Sequence, residues 1–279
     1  MNERIPTEPA DTPRLPALFL SHGGGPCFFL EPGERFPAGT WDRMGQHLTN
    51  VPQDVGASPS AILIVSAHWE EETLQIYSPD KPKLYFDYYG FPQRTYEFSY
   101  PVSGDPILAG KTIDMLNDAG FPVSFNRDRG YDHGVFIPLM LAYPQAQIPV
   151  VQLSLLASHD PEDHIAIGRA LAPLREEGVL IVGSGMSYHN LRAFGSNQAN
   201  ADASAFDDWL RTTIASPDLQ SRAARLGNWA KAPGAVASHP RAEHLAPLFV
   251  AAGAGHDENG RNIYRDAIFG KAVSSFAFG

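Results

Sequence analysis

Two short, unbroken apolar runs constrain this chain most: AILIVSA at 61–67 and VLIVGSG at 179–185. Runs of this length, rich in Ile, Val and Leu and closed by small residues, suit central strands covered on both faces. Five further segments read as strands, at 15–21, 73–78, 122–126, 149–155 and 272–279. Helical stretches lie between them at 41–50, 105–118, 161–177, 201–215, 219–230 and 242–252. The third of these opens on Asp160-Pro161 and stops at Gly178, as a capped helix should. Such alternation predicts one α/β domain over 15–279, with a central, mostly parallel mixed sheet flanked by helices. Residues 1–14 are polar and proline-rich and read as a flexible tail. The stretch 79–101 is long, aromatic and rich in proline, the profile of a functional loop.

Composition narrows the function classes. At 279 residues, with 43% hydrophobic and 11% aromatic side chains, the chain can bury a large core. The net charge is −10 and no basic run occurs, which argues against nucleic acid and anionic membranes as partners. The apolar run at 18–20 is too short for a signal sequence or a membrane span. Cys27 is the single cysteine, so no internal disulfide forms, which fits a cytoplasmic location. A monomer or a small homo-oligomer is expected.

Chemistry is concentrated in histidine. His22 follows the strand LFLS, His68 follows LIVSA, and His189 lies just beyond VLIVGSG. The carboxyl ends of parallel strands share one edge of a sheet, where α/β proteins bind ligands. His244 stands at the start of an expected helix, in HPRAEHLAPL. Neutral imidazoles bind zinc, iron, copper or nickel, and three or four with an open position make a catalytic centre. The glycines at 23–25, and Gly183 and Gly185, allow close backbone approach to a ligand or positive φ; no GK[ST] follows that would make a phosphate loop. His133, where a turn leads into a short apolar helix, is a candidate acid/base, with Asp132 only a weak candidate to orient it. His239 is a second-tier candidate. His47, His159, His164 and His256 read as solvated. A Ser-His-Asp hydrolase fits poorly, because no G-x-S-x-G is present.

Several motifs in order carry a resemblance: SHGGGP at 21–26, SAHWE at 66–70, YYGFP at 88–92, YPVSGDPILA at 100–109, RGYDHGVFIPLMLAYPQAQIPVVQLSL at 129–155, GSGMSYHNL at 183–191 and HPRAEHLAPLFVAAGA at 239–254. Together they resemble the LigB-like class III extradiol ring-cleavage dioxygenases, in the branch that includes 4,5-DOPA extradiol dioxygenase. The resemblance spans about residues 15 to 279. It implies a metal held by His22, His68, His189 and His244, with His133 as acid/base and His239 as a substrate contact. It also implies a catechol-type aromatic substrate and O₂. Other class III enzymes use two histidines and a glutamate. Here His189 takes the third strand-end position, and neither Glu70 nor Glu243 is given a ligand role. Fe(II) is the metal expected for ring opening, with Zn(II) as the alternative. A zinc-dependent hydrolase on the same scaffold and a non-enzymatic metal-binding protein are the rival readings. Tyr88, Tyr89, Phe91 and Tyr96 are candidates to wall the substrate pocket.

Overall fold

The computed structural model describes residues 14–279. The tail expected at 1–14 lies outside the described residues except for Arg14, whose guanidinium pairs with Asp257. The strands are β1 (Ala17–Ser21), β2 (Ala61–Glu71), β3 (Leu74–Tyr77), β4 (Val123–Phe125), β5 (Val150–Leu156), β6 (Val179–Gly185), β7 (Gly260–Ile268) and β8 (Lys271–Phe278). The helices are α1 (Asp42–Thr49), α2 (Val51–Val55), α3 (Pro106–Asp118), α4 (His133–Ala142), α5 (Pro161–Leu171), α6 (Ala199–Ile214), α7 (Leu219–Gly227), α8 (Ala235–Ser238) and α9 (Ala246–Ala254).

All eight strands form one sheet in the order β4-β3-β5-β2-β6-β1-β8-β7. Its centre, β5-β2-β6-β1, is parallel throughout, while β3 runs against β5 and β8 against β1. The mostly parallel mixed sheet expected from the sequence is therefore present. The apolar runs behave as central strands must. Leu63 and Val65 of β2 enter one core, with α3, α5 and α9. Ile62 and Ile64 enter the other, with α1, α2 and α4. Each fully buried aliphatic side chain contributes roughly 1.5–3 kcal/mol relative to exposure.

Three sequence expectations need correction. β7 was not expected: Arg261, Arg265 and Asp266 break its apolar signal, and it lies at the sheet edge, where charge is normal. The last helix begins at Ala246, so His244 lies in the turn before it. His47, His159 and His164 are buried, not solvated. His47 stacks on Tyr264, His159 bonds Glu70, and His164 bonds the backbone of Asp160 and Leu156. Local sequence puts each on a helix or a turn; neighbouring elements then cover it.

Candidate metal centre

The parallel centre puts the carboxyl ends of β1, β2 and β6 on one edge, and the histidines follow from that. His22 directly succeeds β1, and its N–H extends the β1–β6 ladder by donating to Gly185 O at 3.0 Å. His68 sits inside β2, where the register against β5 slips between Val65 and Glu70. Such a bulge re-aims side chains, and Arg129 pins it by donating to His68 O at 2.6 Å. His189 is held by its own N–H, which donates to Ser238 O at 3.0 Å. His244 rests directly on β6. A Cβ on Gly185 would lie 2.2 Å from His244 O, and one on Gly183 would lie 2.1 Å from Pro247 O. These two glycines therefore make room for the 244–247 backbone and not for a ligand, which corrects the sequence reading.

The imidazoles converge. Ligand atoms of His22, His68 and His244 lie within 4.8 Å of one another. The closest pair, His22 Nε2 and His68 Nε2, is 3.2 Å apart. Two nitrogens at about 2.1 Å from one tetrahedral ion stand about 3.4 Å apart, so this pair already has ligand spacing. His189 stacks on His244 with ring centroids 3.3 Å apart. It belongs to a second group with Glu243 and His244.

Outer partners turn each Nε2 inward. Pro138, inside α4, has no N–H to give to Gly134 O. The Ser184 hydroxyl donates to that carbonyl instead, so its oxygen accepts from His22 Nδ1–H at 3.0 Å. His22 Nε2 is then a bare lone pair. Asp87 Oδ2 lies 3.6 Å from His68 Nδ1, too far for a hydrogen bond but near enough to favour a proton there. Glu243 Oε1 accepts from His189 Nδ1 at 2.9 Å and from His244 Nδ1 at 3.0 Å. Burial pushes His22, His68 and His244 well below the ordinary histidine range, and repulsion from neighbouring imidazoles, His133 and His189 among them, adds to it, with Asp87 opposing the shift at His68. They are neutral at neutral pH, the form that binds metal. Burial is the largest single influence on Glu243 and opposes its charge, but the hydrogen bond from His189, a backbone hydrogen bond and the charges of His189 and Arg241 together keep the carboxyl below its usual value.

His133 begins α4, and its Nδ1 lies 2.8 Å from Asp87 Oδ1. The same oxygen accepts from His133 N at 2.9 Å. Burial would raise the Asp87 carboxyl, yet the bonds and charge of His133 hold it low, and His68 helps. Asp87, and not Asp132, orients this ring. Asp132 instead caps α4 and accepts from Ser66 and Gln152. His133 packs against His68 with ring centroids 3.9 Å apart.

A cavity of about 380 Å³ opens over the histidines and includes His22, His68, His133, His189 and His244 in its lining. From the aromatic loop, Tyr88 and Phe91 line it. Tyr96 packs behind Tyr88, and Tyr89 points to solvent. Phe36, Trp41, Phe194 and Phe269, which the sequence reading missed, line it as well. They come from three segments, with Phe36 and Trp41 on one loop, and share no motif. His239 is not among the described lining residues. Its ring packs near Phe206 and Trp229, and its Nε2 donates to Ser187 O at 2.9 Å. Glu70 binds Arg241 and His159. Among the described residues, no helix is long and apolar enough to cross a membrane.

The profile of the catalytic LigB subunit of aromatic ring-opening dioxygenase matches residues 16–276. The chain belongs to the LigB family. It is 37% identical over 278 residues to dioxygenase tasH of Hapsidospora irregularis, covering 95% of this chain and 85% of that one. It is 39% identical over 220 residues to 4,5-DOPA dioxygenase extradiol of Beta vulgaris, covering 77% of this chain and 81% of that one. The Escherichia coli (strain K12) protein called 4,5-DOPA dioxygenase extradiol is 35% identical over 247 residues, covering 86% of this chain and 85% of that one. The crystal structure of an uncharacterized Escherichia coli K12 protein superposes with a TM-score of 0.74 at 28% identity, covering 95% of this chain and all of the other. The strand-end histidines thus sit in an enzyme fold of the LigB family.

Proposed function

We propose that this LigB-family chain is a metal-dependent extradiol dioxygenase that opens the ring of a catechol-type substrate with O₂. The observation that carries the reading is the pair of Nε2 atoms of His22 and His68, 3.2 Å apart. Two neutral imidazoles at that distance, one buried and one partly buried, with their protons drawn to Nδ1, repel unless a cation lies between them. The donor set therefore fits a divalent metal. His22, His68 and His244 would hold it, with His189 as the fourth ligand beside His244. Fe(II) is the metal proposed, because when bound it supplies the one-electron chemistry that lets spin-paired catechol react with O₂.

The chain's own residues do the rest. Asp87 binds His133 Nδ1 and leaves Nε2 for the cavity. His133 takes a catechol hydroxyl proton and returns it at the ring-opening stage, as a general base and then a general acid. The negative charge of Asp87 stabilises the imidazolium between those two transfers. Tyr88 and Phe91 give the aromatic ring an apolar wall.

The test is anaerobic loading with Fe(II), followed by oxygen uptake across a small panel of catechols. Uptake with at least one catechol is expected. Substituting His68→Ala should strip the metal, whereas His133→Ala should keep it and lose turnover. No uptake with any catechol, alongside ester or amide cleavage by the zinc form, would transfer the site to hydrolysis. Equal metal loss in both variants would refute the separate role given to His133.

A further inference from the structure

The cavity over the histidines has two chemistries. Its deep end is imidazole, with His22 and His244 buried. Its mouth is aromatic: Phe36 and Trp41 from the loop before α1 meet there with Phe194 and Phe269 from two other segments. Phe269 is the hub, with its ring centroid 6.1 Å from Phe36, 6.4 Å from Trp41 and 5.9 Å from Phe194.

Phe269 also holds a strained backbone. Ile268 of β7 pairs with Lys271 of β8, so Phe269-Gly270 is a two-residue hairpin turn. Its φ angles are 49° at Phe269 and 78° at Gly270. A turn with positive φ at both central residues favours Asn-Gly. A bulky side chain there is an outlier, and such outliers cluster at ligand sites. The hairpin has no need of a phenyl ring at this position, and the ring remains 38% exposed. Yet the turn is firmly clamped. The buried Lys271 ammonium donates to Phe269 O and Phe194 O, both at 3.0 Å, and to Asn200 Oδ1 at 2.8 Å. All three of its protons are used. The same clamp therefore holds both Phe269 and Phe194 at the mouth.

The cavity also has spare room. A cavity of about 150 Å³ suffices for benzene, whereas this one measures about 380 Å³. If the catechol ring lies over the histidines, a group of roughly ring size remains to be seated under the aromatic mouth. Resting on the function proposed above, we infer that Phe269 sets substrate specificity, and that the substrate is a catechol bearing a ring-sized apolar substituent packed against the Phe269 ring.

The test is calorimetric binding to the Fe(II)-loaded full chain under argon, where no turnover occurs. The ligands are catechol, phenylcatechol and dihydroxyphenylacetate. Phenylcatechol should bind at least about tenfold more tightly than catechol, the scale expected for burying most of an aryl group. In Phe269→Asn, which suits the turn, the ratio of phenylcatechol to catechol affinity should fall below about threefold. Phe269→Trp should retain the preference. An unchanged preference in Phe269→Asn overturns the assignment and leaves the dioxygenase reading standing. Tightest binding by dihydroxyphenylacetate also overturns it, and would move specificity to Arg35, the cation stacked over Phe91 on the cavity wall. Failure of the wild-type protein to bind any catechol sinks both readings together.

Discussion

Glu243 offers the sharpest test of how the centre is built. One of its carboxylate oxygens accepts Nδ1–H from two proposed ligands, His189 and His244, at 2.9 and 3.0 Å. The carboxylate therefore fixes two tautomers at once and makes both Nε2 atoms more basic. Removing such an outer partner lowers metal affinity about 10–100-fold, or about 1.4–2.7 kcal/mol. Glu243→Gln keeps an acceptor oxygen and the shape but loses the charge, so it should lie near the tenfold end. Glu243→Ala loses both and should lie near the hundredfold end. Because the two histidines share one oxygen, their losses are coupled and do not simply add. The assay is titration of the metal-free protein with Zn(II) or Co(II) in competition with a chromophoric chelator. Stoichiometry should stay at a single ion per chain while the Kd rises. An unchanged Kd in Glu243→Ala would refute the orienting role. Complete loss of binding, matching that of His68→Ala, would make Glu243 a direct ligand instead.

Two further outcomes follow from the packing. Gly185→Ala places a Cβ 2.2 Å from His244 O, so the 244–247 segment must lift off β6; overpacking of this kind costs about 1–3 kcal/mol, and urea unfolding together with metal content should both register it. Burial pushes His47 down from 6.5 to about 4, so on acidification the unfolded chain takes up the proton first and stability falls between those values. Between pH 7 and pH 5 this one group should remove about 2 kcal/mol. The loss in wild type should therefore exceed that in His47→Gln by about this amount, and equal pH dependence in the two proteins would show that His47 titrates alike folded and unfolded.

Much of the site could be read from local sequence. Hydrophobic runs mark where a central strand ends; His22 stands immediately beyond one such end and His189 four residues beyond another. His68 read the same way, although its strand continues to Glu71 through the bulge that turns it inward. His244 and His133 are also candidates from their local setting, at the start of an expected helix and after a turn, and the resemblance supplies the ligand and acid/base roles. The solvated reading of His47, His159 and His164 failed because a local pattern shows only which element a residue occupies. It does not show which other element will cover it.

Sequence alone determined the alternation of strand and helix, and with it the sheet edge on which the histidines gather, because apolar periodicity is a property of neighbours in the chain. Tertiary structure decided which oxygen each Nδ1 meets: Ser184 for His22, Asp87 beside His68 and His133, and Glu243 for His189 and His244. It also brought Phe36, Trp41, Phe194 and Phe269 to one mouth and seated the 244–247 backbone on the two glycines of β6, His244 over Gly185 and Pro247 over Gly183. Apart from Glu243 and its neighbour His244, these pairings join residues roughly twenty to more than a hundred positions apart. Their distances depend on strand register and on how every helix packs, and no short stretch of sequence encodes either.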